Sequence, residues 1–420
     1  MTFAPTRRGA LLSMVAGAAV MIALPALGQD VTLTFWGSYG NGGNSTQQDA
    51  LNDTLIPAFE AAHPGVKVTY VDVPYDSLLQ KLTTSAAGGE LPDLVRADLG
   101  WVPQFAELGV LVPLSDAMPD FQALADDTYP GVLATNLYQG KYYGLPLDTN
   151  TRVLVTSQEA LDAAGMSAPP ASFDDLKAMA AKLDGTGMAL FADGGLGAWN
   201  IMPWIWSGGG DITDPELTRA SGYLDSAQNV ATVQMLVDLY NEGQIPNLII
   251  GNQGATSTSD GLPSGEYATI FDGPWMAGIW TDQYPDFTPI YAPIPAGPGG
   301  SVSVVGGEDI VVTASSPHQD AALDFVRFTQ SEQFQVEMAR TGQMTVNPAF
   351  ADQQTAIAPF YATFAEQLKT ARNRLAIPQA GQVDGILNAQ ITAAFTGEAS
   401  VQDALSKAAA EIDALLASGT

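Results

Sequence analysis

Aromatic rings set in turns are the most distinctive chemical feature of this sequence. Trp36, Tyr39, Trp101, Trp199, Trp204, Trp206 and Trp275 fall at the ends of alternating apolar runs or among glycines. Between them stand Asp98, Asp148, Asn150 and Asp272. A sugar ring shows an apolar C–H face and a rim of hydroxyls. An indole face receives the first, with a gain on the order of 1 kcal/mol beyond buried area. Carboxylates, amides and guanidinium groups receive the second in paired hydrogen bonds. The combination suits carbohydrate. The alternative is that the indoles fill a core, and for Trp204 and Trp206 packing is the preferred expectation.

Other chemistries find little support. The two histidines, His63 and His318, sit in turns beside proline, without the spaced partners a metal needs, so no metal and no cofactor are expected. Cysteine is absent, which removes disulfides, thiolate ligands and cysteine nucleophiles. There is no Gly-x-Ser-x-Gly elbow, no phosphate-cradling loop and no His-Glu-x-x-His. Two of the 45 acidic residues could still act as the carboxylate pair of a glycoside hydrolase.

The elements that must carry these residues read as α/β. Val31–Trp36 alternates into a strand, and Gly37–Asn44 is a polar loop. Thr46–His63 is helical, Val66–Val73 a strand, Tyr75–Ala87 a helix and Leu94–Ala97 a buried strand. That βαβαβ order predicts a parallel sheet whose ligands sit at the carboxyl ends of its strands. Further on, strands are expected at Arg152–Thr156, Tyr267–Phe271, Thr288–Pro295 and Val302–Val312, and helices at Phe173–Leu183, Ala227–Gly243, Gln319–Phe334 and Val401–Leu416. Trp199–Gly210, rich in tryptophan and glycine, reads as an irregular loop.

Arg7-Arg8 precede an uncharged apolar run, Gly9–Leu27, that closes on small residues. This is the form of a secretory signal peptide over 1–28, exported by the general secretory or the twin-arginine route. A membrane anchor is the alternative, but the run stops at Pro25 and Gly28. A soluble periplasmic protein is therefore expected. The net charge of −29 disfavours nucleic acid and anionic lipid as partners.

Several blocks resemble a known family. They include Leu33-Thr-Phe-Trp36, Phe59-Glu-Ala-Ala-His-Pro-Gly-Val-Lys-Val68, Leu91-Pro-Asp-Leu-Val and Gly144-Leu-Pro146. Asp272-Gly-Pro-Trp275, Gly306-Gly307 before Asp309–Val312, and Gly397-Glu-Ala-Ser-Val-Gln-Asp-Ala-Leu405 continue the set. In order and spacing they resemble the family-1 extracellular solute-binding proteins, the maltodextrin-binding type that serves ABC importers.

The resemblance implies a two-lobed periplasmic-binding-protein fold of type II, with a hinge of crossing segments and a ligand cleft between lobes. It implies one lobe from 29–145 plus 292–335 and another from 146–291 plus 336–420. It further implies a monomer that closes on its sugar and delivers it, without catalysis, to the permease subunits of an ABC importer.

Carried over by position, Trp275 and Trp199 are the stacking rings. Asp98 and Trp101 sit in the loop after the third strand, and Trp36, Ser38 and Asn41 belong to the end and loop of the first. Asp148, Asn150 and Asp272 contact hydroxyls, Gly307 lets backbone approach the ligand, and Arg374 is a site arginine. Two positions depart from the family. Glu308 stands where many relatives carry tryptophan, and Asp384 where maltodextrin binders carry an aromatic. Loss of two platforms suggests a smaller or more polar sugar, a di- or trisaccharide. A glycan-active enzyme and a same-fold binder of a polyamine remain as rival readings.

Overall fold

The computed structural model describes residues 1, 30–40, 45–252 and 254–418. The expected signal peptide, apart from Met1, and the expected site residue Asn41 lie outside the described residues.

Two sheets, each with helices on both faces, make two lobes. The first sheet runs in the order Val66–Asp72, Val31–Gly37, Leu94–Asp98, Glu308–Val312, Gly144–Pro146. Its first three strands are parallel, as the βαβαβ reading requires, with Val31 opposite Val66 and Phe35 opposite Leu94. Glu308–Val312 inserts antiparallel between Leu94–Asp98 and Gly144–Pro146. Side chains alternate across a strand, so neighbours divide between two cores. Leu33, Phe35, Leu94, Ile310 and Val312 pack with Phe59, Phe325 and Phe334. Val95, Ala97 and Val311 pack with Leu78, Leu82, Val102 and Phe105. Phe35, Phe59 and Phe325 have no exposed surface. Burial of each stabilises the lobe by roughly 1.5–3 kcal/mol.

The second sheet runs Ile290–Ala292, Val153–Thr156, Tyr267–Asp272, Ala189–Ala192. The same alternation holds. Leu154, Phe191 and Phe271 meet helices Phe173–Leu183, Ala198–Ser207, Ala380–Phe395 and Val401–Ser418. Val153, Val155 and Ile270 meet Met276–Gln283 and Tyr361–Leu368.

The chain passes between the sheets in three places. Asn150–Thr151 and Val305–Gly306 pair antiparallel as a two-stranded ribbon, and Thr149 bridges Met344. The ribbon corrects one expectation. Val302–Val312 is not one strand, because Gly307 interrupts it at φ 126°. The halves on either side pair with different partners, one in the crossing ribbon and one in the first sheet.

A second correction concerns Trp199–Gly210. Ala198–Ser207 is a helix, buried along nearly its whole length. An element buried all round has no amphipathic period to reveal it, and Pro203 within it argues against a helix. Proline at that position forfeits the hydrogen bond to the carbonyl four residues back, that of Trp199. Arg152 supplies it instead, Nη1 donating to Trp199 O at 3.2 Å. The run expected as one helix over Gln319–Phe334 breaks into Gln319–Thr329 and Glu332–Ala339, where Ser331 caps the second by accepting from Phe334 N–H.

Candidate functional site: a cleft between the lobes

A cavity of about 800 Å³ lies between the lobes and is lined from both. Each lobe contributes one pair of aromatic rings. Tyr75 and Trp101, from the first, have centroids 5.5 Å apart at 35°. Trp199 and Trp275, from the second, are 6.3 Å apart at 34°. All four are partly exposed and border the cavity.

Glycines shape the seats of the second pair. A Cβ on Gly273 would lie 2.0 Å from the Trp275 ring, and one on Gly306 2.6 Å from the Trp199 ring. Neither indole could occupy its place with a larger residue there.

Polar networks surround the rings. Arg96 is 4% exposed and comes from the middle of strand Leu94–Asp98. Its Nη1 donates to Ser38 Oγ at 3.0 Å, its Nη2 reaches Asp148 at 3.4 Å and Glu308 at 2.7 Å, and its plane covers the Tyr39 ring. Burial pulls the Arg96 pKa down, but Glu308 and Asp148 together raise it, so it stays charged. Burial pushes Glu308 well above the ordinary carboxylate range, against the pull of Arg96 and with help from the neighbouring Asp148 charge.

Asp98 ends the same strand. It accepts from Arg374 Nη2 at 2.7 and 2.9 Å, from Gly100 N–H at 2.7 Å and from the Tyr75 hydroxyl at 2.6 Å. On the far side, Asp384 Oδ1 accepts from Ala198 N–H at 2.6 Å, capping the helix that carries Trp199. Behind Trp199, Arg152 Nη2 reaches both Asp193 oxygens at 2.9 Å.

Of the residues expected from the sequence, Ser38, Asp98, Trp101, Asn150, Trp199, Trp275, Gly307, Glu308, Arg374 and Asp384 border the cavity. Three others do not. Trp36 packs beside helix Tyr75–Gly88, its ring 3.9 Å from Lys81 Nζ. Asp148 is buried behind Glu308, on Arg96. Asp272 lies beneath Trp275 and accepts from Gly273 N–H, with its pKa pushed up to about 6 by burial. Trp204 and Trp206 sit in the core, as the packing alternative has it.

Arg96 and Tyr75 are not among the residues expected from the sequence. A charged residue inside an otherwise apolar buried strand was the available signal for Arg96. Tyr75, the first residue of an ordinary helix, gave none.

Asn150, Asn200, Gln343 and Asn388 bring side-chain amides to the residues that line the cavity. Each amide offers both donors and an acceptor, so a guest bearing both donors and acceptors is the chemical complement. Among the described residues, no group of His, Cys, Asp and Glu is arranged to hold a metal, and no helix is long and apolar enough to cross a membrane.

Comparison with known proteins places these features in context. The family model for bacterial extracellular solute-binding proteins matches residues 42–336. A putative binding protein of Brucella abortus is 27% identical, over 86% of this chain and 88% of its own. The GacH receptor of Streptomyces glaucescens, solved unliganded and with acarbose and an acarbose homolog, superposes with a TM-score of 0.83. It is 25% identical, covering 93% of this chain and all of its own. The cyclic alpha-maltosyl-1,6-maltose binding protein of Arthrobacter globiformis gives a TM-score of 0.77 at 26% identity, with 93% and 100% covered.

Proposed function

The chain belongs to the bacterial extracellular solute-binding proteins, and we propose that it is the substrate-binding component of an ABC-type sugar importer. On this reading it binds a neutral di- or oligosaccharide between its lobes and passes it unaltered to permease subunits in the inner membrane. It works as a soluble periplasmic monomer, exported by its leader, with no catalysis and no cofactor. The lobe bounds expected from the sequence, 29–145 plus 292–335 and 146–291 plus 336–420, move to the crossings, since Ala292, Ile294 and Val304 pack in the second lobe and Met338 in the first.

The observation that carries the reading is the pairing of aromatic rings from both lobes around one cavity. The partly exposed rings receive the C–H faces of sugar units, and the amides of lining residues such as Asn200 and Asn388 receive hydroxyls. Two similar receptors of solved structure bind acarbose and a cyclic maltosyl-maltose, which supports an oligosaccharide here. The cavity's acids are largely engaged by the protein. Asp98 is held by Arg374, and Glu308 by Arg96, which leaves little for a polyamine or for acid–base chemistry.

Calorimetric titration with neutral mono-, di- and trisaccharides tests the reading, with putrescine and spermidine alongside. Binding to a neutral saccharide, with the sugar recovered unchanged, is the expected outcome. Silence across the sugars with heat from a polyamine would overturn it, and so would recovery of cleaved product.

A further inference from the structure

Helix Ala380–Phe395 joins the cavity wall through the residues of its first half, Asp384 and Asn388 among them. These two are four residues apart, so they stand on one face of the helix. Each sends an oxygen to the loop that leads into the Trp199 helix. Asn388 Oδ1 accepts from Leu196 N–H at 3.1 Å, and Asp384 Oδ1 from Ala198 N–H at 2.6 Å. The loop, Gly194-Gly195-Leu196-Gly197, has one side chain of its own, that of Leu196, buried in the second lobe's core. At its start Gly194 N–H donates to Asp193 Oδ1 at 2.8 Å. Glycine backbone is the least restricted of any, so the course of this loop depends on groups outside it.

Gly197 marks the closeness of the Asp384 contact. Its φ of −70° and ψ of 179° are open to any residue. A Cβ there, however, would lie 2.6 and 2.9 Å from the two carboxylate oxygens of Asp384. Glycine is required at 197 for the room the carboxylate takes, and not for the shape of the backbone.

The backbone is held on both sides of the Trp199 side chain. Asp384 takes Ala198 N–H before it, and Arg152 Nη1 donates to Trp199 O after it. The carboxylate also stands at the amino end of helix Ala198–Ser207, where the helix dipole favours negative charge. A hydrogen bond to an ionised acceptor is stronger than one between neutral groups. The Trp199 ring is only partly buried, so its aim depends on its backbone more than that of a ring packed on all sides.

We propose that Asp384 and Asn388 are positioning residues for the Trp199 ring: by holding the glycine-rich loop to helix Ala380–Phe395 they fix the direction in which the indole faces the cavity. Asp384 then acts on the guest through the ring. A ring held ready before the guest arrives binds more tightly than one that must be ordered on binding. That consequence for sugar affinity rests on the function proposed above, but the seat of the ring does not.

The first test needs no ligand, so its failure is separate from failure of the sugar reading. Fluorine resonance of fluorotryptophan-labelled protein reports each indole, and Trp199→Phe identifies the Trp199 signal. Asp384→Ala and Asn388→Ala are each expected to shift and broaden that signal, while Trp36, in the other lobe, keeps its own and shows that the fold is intact. Asp384→Asn keeps an acceptor for Ala198 N–H and is expected to restore the signal. Gly197→Ala should displace it as Asp384→Ala does, but should add nothing in the Asp384→Ala background, where the methyl finds the room vacated. A Trp199 signal unmoved in folded Asp384→Ala overturns the proposal, and so does one moved as far by Asp384→Asn. With a saccharide that binds in the calorimetric panel, Asp384→Ala is expected to weaken affinity by about tenfold and to add nothing to Trp199→Ala. Full additivity of those two losses would overturn action through the ring.

Discussion

A Cβ on Gly307 would stand 2.4 Å from the carbonyl oxygen of Asp148. The two residues belong to adjacent crossings of the chain, and their contact sets how closely those crossings approach. Backbone conformation adds to the constraint, since Gly307 has φ 126°, where residues with a side chain are strained.

Gly307→Ala is therefore expected to destabilise the fold by about 2 kcal/mol, from strain of the order known for such positions. Urea unfolding followed by circular dichroism measures it. A loss below about 0.5 kcal/mol would mean that the crossings yield freely.

Trp275→Ala should weaken sugar binding at least tenfold, a loss of about 1.4 kcal/mol, while leaving the circular dichroism spectrum unchanged. The ring is partly exposed at the cavity over Gly273, with its inner side against the second lobe's core, so the spectrum separates lost sugar contact from lost fold. Titration calorimetry with the sugar identified in the panel decides it, and equal affinities in the two proteins exclude a stacking role.

Arg152 and Asp193 form a buried pair beneath Trp199, and Arg152 also donates to the carbonyls of Trp199 and Phe271. Asp193→Ala leaves the guanidinium buried and uncompensated, which costs about 3–5 kcal/mol. Denaturant unfolding should show that loss. A decrease under about 1 kcal/mol would show that water reaches the arginine.

Asp309 gives a pH signature. Burial pushes its pKa up to about 8, although Asn136 and Thr135 donate to it. The folded state therefore keeps a proton that the unfolded chain has released above its ordinary value near 4. Between those two values the native state binds more protons, so this residue's contribution to stability falls as pH rises. Asp309→Asn keeps the acceptor and removes the titration. Its stability curve should be flatter than that of the unsubstituted protein by up to about 1.4 kcal/mol per pH unit between pH 5 and 7. Parallel curves over that range would exclude a retained proton.

Much of the architecture was legible because it rests on local burial patterns. Val31–Gly37 shows its two faces in six or seven residues, and Phe173–Leu183 shows its apolar stripe in three turns. Ala198–Ser207 was not legible, since burial on all sides erases the period and Pro203 contradicts it. Its missing hydrogen bond is repaired by Arg152, far away in the chain. The first-lobe strand Leu94–Asp98 was found, but the function of its Arg96 was not. The residues that hold Arg96, Ser38, Asp148 and Glu308, come from three other segments.

What the sequence determined alone was the α/β alternation and the set of rings and acids available to a site. Only the tertiary structure decided which of them face the cavity. Trp199 and Trp206 show the reason. They are seven residues apart on one helix, two turns and about 10 Å along its axis. Periodicity puts both on one side of that helix. Trp199, at the capped end, meets the cavity and Trp275, whereas Trp206 is sealed in the core beneath Arg372. A helical period specifies a face, but the depth of each turn in the molecule depends on what the rest of the chain packs beside it.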